Sequence, residues 1–175
     1  MIEINTENYE TTGILSEEEI KAKTRELRKE GKIVGLCTGS FDLLHIGHVA
    51  YLEAAKKMCD VLVVGVADDS LSTRKKSQRG GPIFSYEVRA FMVGRLKPVD
   101  FVIRDDGLLN IFHLVYPHFY IKGSDYKNET AHDFIKSKEI VKSLGIKMAY
   151  APCVLSDSLK ISTADIIDYI KNHVK

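Results

Sequence analysis

At 175 residues, with 45% hydrophobic and 28% charged side chains, the chain has the size and composition of a single soluble globular domain. A net charge of +1 gives no general electrostatic case for nucleic acid or a membrane surface, and the apolar runs are strand-sized, so a membrane span is not expected. Met1 to Glu10 is polar and acidic, which argues against a secretory leader; Cys37, Cys59 and Cys153 are scattered without C-x-x-C spacing, as expected of reduced thiols in the cytoplasm.

Residues 1–15 carry no clear period and read as an arm. Ser16-Glu-Glu-Glu19 is a capping box that opens a helix to Glu30, and Gly31 suits its stop. Residues 1–31 thus form an arm and helix, with the helix charges read as a solvated face, and residues 32–175 form the main domain. Lys32 to Thr38 is an apolar strand. A tight loop, Thr38-Gly-Ser-Phe-Asp-Leu-Leu-His-Ile-Gly-His48, leads into a helix over Val49 to Met58. Asp60 to Ala67 is β-branched and unbroken, as in a parallel sheet covered on both faces. Strand, helix and strand at this spacing make a right-handed βαβ unit.

Residues 70–82 read as a basic loop. Phe84 to Lys97 is helical, with Phe84, Val88, Phe91, Met92 and Leu96 as its core stripe, and Pro98 ends it. Val99 to Ile103 is a third strand, Leu108 to Tyr116 a short helix, His118 to Lys122 a fourth strand and Ile146 to Pro152 a fifth. A loop over 153–160 precedes the last helix, where Ser162 is the N-cap, Asp165 its capping-box partner, and Ile166, Ile167, Ile170 and Val174 are apolar. The expected fold is α/β: a Rossmann-like, doubly wound, parallel five-stranded sheet with helices on both faces. Ligands in such sheets sit at the carboxyl ends of the strands.

That edge holds the residues with chemistry. His45 and His48 are three apart at a helix start, so both rings face one way. Helix N-termini attract anions, and Gly39 and Gly47 clear space for phosphates to reach the backbone. Arg74, Lys75, Lys76 and Arg79 in the following basic loop suit closure over a triphosphate. His113 and His118 have no partner at metal spacing and read as structural.

The block Gly39-Ser-Phe-Asp-Leu-Leu-His-Ile-Gly-His48 resembles the HxGH signature of the cytidylyltransferase-like nucleotidyltransferases. The resemblance covers about Lys32 to the C-terminus. It implies transfer of an NMP group from NTP to a phosphorylated small molecule, with release of pyrophosphate. His45 and His48 would then hold the NTP phosphates, with Thr38, Gly39, Ser40, Phe41 and Gly47 around the nucleotide. Asp42 either orients this loop or contacts a histidine, unless it serves only as a local Asx turn. Either Lys75 or Lys76 matches the family's phosphate-binding lysine. Tyr86-Glu-Val-Arg89 resembles the family's Glu-x-Arg helix motif, whose arginine contacts phosphates. Ser162-Thr-Ala-Asp-Ile-Ile167 resembles Ser-Thr-Thr-x-Ile-Ile, which implies that Ser162 and Thr163 bind phosphate as well as cap the helix. Mg²⁺ is implied as a phosphate counter-ion held largely through water, with no carboxylate cage and no protein ligand assigned. A homodimer is expected, with neither nucleic acid nor membrane as partner.

Lys122-Gly-Ser-Asp-Tyr126 looks most like the heptose 1-phosphate adenylyltransferase group, where the cytidylyltransferases carry Gly-Asp-Asp-Trp. Lys122, Gly123 and Asp125 are therefore candidates for the acceptor. Lys136-Ser-Lys-Glu139 is similar to the same group's Gly-Ser-Lys-Glu, and reads equally as helix-surface charge. Two departures stand out. Asp157-Ser-Leu-Lys160 lacks the Arg of the cytidylyltransferases' Arg-Thr-x-Gly, and Lys160 replaces its glycine. The leading expectation is a stand-alone adenylyltransferase of a heptose 1-phosphate type. A CTP-dependent cytidylyltransferase of an alcohol or sugar phosphate is the alternative, and a non-catalytic nucleotide sensor the third.

Overall fold

The structure, a computed structural model, describes residues 13–75, 81–130, 132–152 and 162–173. Within them α1 spans Glu17–Lys29, β1 Val34–Gly39, α2 Ile46–Lys56, β2 Val61–Ala67 and α3 Asp69–Lys75. They continue with α4 over Tyr86–Gly94, β3 Phe101–Asp105, α5 Leu108–Val115, β4 Phe119–Gly123, α6 His132–Ser143, β5 Lys147–Ala151 and α7 Thr163–His173. A 3-10 turn over Ser124–Asn128 follows β4.

The five strands form one sheet in the order β3-β2-β1-β4-β5, and every pairing is parallel. The sheet has the expected Rossmann-like α/β form. Alternation along the strands divides the core. Leu62, Val64 and Val66 of β2 face one layer with Leu52 and Ala55 of α2 and Ala90 and Val93 of α4. Val61 and Val63 face the other, with Ile20 and Leu27 of α1, Phe112 of α5 and Val141 of α6. A period of two puts successive residues on opposite faces, so unbroken apolar strands require helices on both. Sequence-distant β1 and β4 are neighbours, so the winding reverses between them. At such a switch point the loops leaving two adjacent strands diverge, and a crevice opens above their carboxyl ends.

Several boundaries differ from expectation. α1 has the full capping box: Glu19 N–H to Ser16 Oγ is 3.3 Å, and Ser16 N–H to Glu19 Oε2 is 2.8 Å. α2 begins at Ile46 rather than Val49, because His45 itself is the N-cap. The basic stretch is not wholly loop, since α3 runs to Lys75, started by Asp68, whose Oδ1 accepts the Leu71 N–H at 2.6 Å. α4 is shorter than Phe84 to Lys97 and buries Tyr86, Val88, Arg89, Ala90 and Val93. Of the expected stripe only Val88 is fully buried; Phe84, Phe91, Met92 and Leu96 are half-buried. The loop over 153–160 and Val174 lie outside the described residues.

His118 is structural, as expected. Its Nδ1 accepts the Val34 N–H at 3.0 Å and stands 3.4 Å from an Arg28 Nη1 that donates to the Tyr116 carbonyl. Burial first, then the Arg28 charge, holds its pKa below the usual 6.5. The unfolded chain therefore takes up this proton at higher pH than the folded one. The stability owed to the neutral ring is complete above pH 6.5 and is lost as pH falls below it. Urea midpoints measured from pH 7.5 down to about 5 should fall more steeply in the wild type than in His118→Asn. Equal slopes would assign the acid sensitivity elsewhere.

Candidate active site

A cleft of about 710 Å³ opens at the switch point. Thr38 to Asp42, His45, Gly47, His48 and Tyr51 line one side, Lys122, Gly123, Asp125 and Tyr126 another, and Ser162 to Asp165 a third. Two helix N-termini, those of α2 and α7, thus meet the carboxyl ends of β1 and β4. The positive ends of two helix dipoles on one cavity make an anion site.

The histidines are built into the start of α2. His45 Nδ1 accepts the Gly47 N–H at 3.2 Å, and His48 Nδ1 accepts the His45 N–H at 3.4 Å. The ring centroids are 3.9 Å apart. A neutral imidazole that accepts at Nδ1 carries its proton on Nε2, so each ring is oriented as an Nε2–H donor. Burial lowers the His45 pKa, with Asp165 opposing, which favours that neutral form.

The loop between strand and helix is strained and braced. Phe41 and Leu43 have φ of 50° and 51°, a left-handed conformation that costs on the order of 1–3 kcal/mol per non-glycine residue. A Cβ on Gly39 would stand 2.9 Å from the Phe41 ring, so the fold of this loop requires glycine there. Asp42 is 3% exposed; its Oδ1 accepts the N–H groups of Ile83 and Phe84, both at 3.1 Å. Its carbonyl accepts Thr163 Oγ1 at 3.0 Å, which ties α7 to the loop. Asp42 is thus a tie between segments rather than a local Asx turn.

Lys122 sits at the end of β4 with 8% exposure. Its Nζ donates to the Thr38 carbonyl at 3.0 Å and lies 4.4 Å from the Tyr126 ring centroid. Thr38 Oγ1 and the Tyr120 hydroxyl are 2.8 Å apart beneath it. At α7, Ser162 Oγ donates to Asp165 Oδ2 at 2.7 Å. The Ser162 and Thr163 hydroxyl protons thus point at Asp165 and Asp42. What α7 offers an anion is the positive end of its backbone.

Arg89 is not on the cleft wall. It is fully buried, with Nη1 donating to the carbonyls of Ser40 and Ala67 at 2.6 and 2.7 Å. The expected phosphate contact does not match this placement. Lys136 to Glu139 lie on α6 away from the cleft, with Ser137 buried on the Phe134 carbonyl, so the helix-surface reading fits them. Lys75 closes α3, while Lys76, Arg79 and Lys160 lie outside the described residues. Tyr51, Tyr126 and Asp165 line the cleft and were not expected there. Tyr51 was findable, since it continues the i, i+3 spacing of His45 and His48 on one helix face.

If Asp42 holds the loop, Asp42→Ala strands two partly buried N–H groups and should lower stability by about 1–3 kcal/mol. Asp42→Asn keeps one acceptor oxygen and should lose less. Denaturant titration of the three proteins checks this, and equal midpoints would remove Asp42 as the tie.

Comparison with known proteins agrees with this geometry. The family model described as Cytidylyltransferase-like matches residues 36–168. The chain is 33% identical over 163 residues to proteins called "Bifunctional protein HldE" from Yersinia pestis (strain Pestoides F) and Yersinia pseudotuberculosis serotype O:1b (strain IP 31758). The match covers 91% of this chain and 32% of each relative, so the chain spans about a third of their length. Among solved structures, the lipopolysaccharide core biosynthesis protein from Thermoplasma volcanium GSS1 superposes with TM-score 0.57 at 31% identity, over 69% of this chain and 97% of that one. A pantoate-beta-alanine ligase from Francisella tularensis shares the fold, with TM-score 0.59 at 15% identity over 88% of this chain and 72% of that one. A signature loop that caps a helix with two histidines at the switch point of a parallel sheet, within a family match over most of the domain, makes this chain a member of the cytidylyltransferase-like family.

Proposed function

We propose that the chain is an adenylyltransferase that moves AMP from ATP to a sugar 1-phosphate of the heptose type and releases pyrophosphate. The observation that carries this reading is the convergence of the α2 and α7 N-termini, with two oriented imidazoles, opposite a lysine at the end of β4. Lys122-Gly-Ser-Asp-Tyr126 supports the heptose class, as does the 33% identity to the HldE proteins.

In this reading an acceptor phosphate oxygen attacks the α-phosphorus, and the bond to the bridging oxygen of the β-phosphate breaks. The acceptor is already ionised at pH 7, so no general base is required. Catalysis is positioning and charge stabilisation. His45 and His48 donate from Nε2 to phosphate oxygens as charge builds on them, and the backbone ends of α2 and α7 hold the leaving pyrophosphate. Lys122 and Asp125 take the acceptor's phosphate and hydroxyls.

The residues suit a metal that arrives with the nucleotide. Among the described residues no three His, Cys, Asp or Glu side chains stand together as a metal cage, while Asp125 and Asp165 line the cleft and would hold Mg²⁺ through its water shell. Bound there, Mg²⁺ supplies positive charge to the phosphates.

The reading assigns the enzyme to the cytoplasm, as a homodimer. No described helix is long and apolar enough to cross a membrane. Tyr169 and Ile170 on α7, 64% and 47% exposed, are among the exposed apolar side chains that would support pairing.

The test is pyrophosphate release with Mg²⁺, for ATP, CTP, GTP and UTP against heptose 1-phosphates, glycerol 3-phosphate, phosphocholine, phosphoethanolamine and FMN. Turnover with ATP and a heptose 1-phosphate is expected, and His45→Ala or His48→Ala should lower it by about two orders of magnitude or more. Turnover with CTP alone would replace the adenylyl assignment with a cytidylyl one. Nucleotide binding without pyrophosphate release from any pair would favour a sensor.

A further inference from the structure

We propose that Arg89 is a positioning residue, which locks the signature loop in its strained shape and does not touch the nucleotide phosphates. This rests on the nucleotidyltransfer reading of the cleft and assigns a different task to an arginine that its motif would make a phosphate ligand.

The guanidinium is 0% exposed. Its Nε donates to the Phe84 carbonyl at 3.0 Å, Nη1 to the carbonyls of Ser40 and Ala67 at 2.6 and 2.7 Å, and Nη2 to Asp69 Oδ1 at 2.6 Å. Those acceptors belong to separate segments: the signature loop, the end of β2, the turn before α4 and the first residue of α3. A buried charge is tolerated only where its donors are met, and here main-chain carbonyls meet most of them. A phosphate would have to break these bonds and reach a group that the cleft walls cover.

The geometry gives the buried fork a purpose. Arg89 fixes the Ser40 carbonyl. That carbonyl and the Phe41 N–H belong to one planar, trans peptide unit, so the N–H is fixed to point the opposite way. Phe41 is also where the backbone turns left-handed, with φ of 50°. Such a turn persists only where its surroundings over-determine it. Arg89 grips the residue before Phe41, and Asp42, the residue after it, is gripped by the N–H groups of Ile83 and Phe84. The same brace reaches α3, where Ser72 Oγ stands 3.0 Å from Ser40 Oγ. A fork that donates in several directions at once is what lysine cannot supply.

The test compares wild type with Arg89→Lys and Asp69→Asn, both as full-length chains. Amide hydrogen exchange is followed by mass spectrometry without nucleotide, and kcat and KM for ATP are measured with the best acceptor. Arg89→Lys should speed exchange in residues 40–45 while the β2 and β4 peptides stay protected. Its kcat should fall by about 10- to 100-fold, with KM for ATP within about threefold of wild type. Asp69→Asn should shift both readings in the same direction by less. A tenfold or greater rise in KM with unchanged loop exchange would make Arg89 a phosphate ligand and overturn the proposal. Faster exchange across all strands with kcat intact would make it a core residue only, and would also overturn it. The exchange arm needs no turnover, so it decides on Arg89 even if the nucleotidyltransfer reading fails.

Discussion

The cleft depends on how one short loop is held. Between β1 and α2 the backbone turns left-handed at Phe41 and again at Leu43, and neither is a glycine that would make the turn freely. The buried carboxylate of Asp42 supplies the restraint, accepting main-chain N–H groups from a segment more than 40 residues away. Its carbonyl takes a bond from α7, from the other end of the chain. One residue therefore sets the loop against both the turn before α4 and the start of α7, and the walls of the cleft are referenced to it.

The histidines follow from the same local architecture. A helix start leaves N–H groups without partners, and here imidazole nitrogens fill that need where serine or aspartate usually would. Capping fixes which nitrogen accepts, so the bonds that begin α2 also decide which nitrogen carries the proton. Structure and chemistry are not separable at these two positions. The sheet adds the rest. Parallel strands with a reversal between β1 and β4 bring the loop after one beside the lysine that ends the other, so groups 84 residues apart share a hydrogen bond.

What was legible in the sequence was local or periodic. The Ser16 capping box, the β-branched run of β2, the five-strand α/β order and the ten-residue signature are written in neighbouring residues, and the structure reproduces them. The face of α4 was misread because Phe84 and Leu96 suggested a stripe. The sheet instead receives Tyr86, Ala90 and Val93, spaced four and three apart, once Ser85 sets the helix start. α3 was missed because its basic composition suggested a loop, although Asp68 before it is a helix cap. Arg89 could not be placed from sequence, because its partners at Ser40 and Ala67 are main-chain atoms 49 and 22 residues away, and backbone acceptors leave no residue-type signal. Tyr126 belongs to a motif legible in the sequence, while its ring's approach to the Lys122 ammonium depends on the fold.

The central claim is that a triphosphate lies between the N-termini of α2 and α7, held by the Nε2 atoms of His45 and His48. A crystal structure with a non-hydrolysable NTP and Mg²⁺ tests it directly. Phosphate oxygens at about 3 Å from both Nε2 atoms are expected, with the Arg89 guanidinium still bonded to the Ser40 and Ala67 carbonyls. A triphosphate bound outside this cleft, or within it but beyond hydrogen-bond reach of both imidazoles, would contradict the claim.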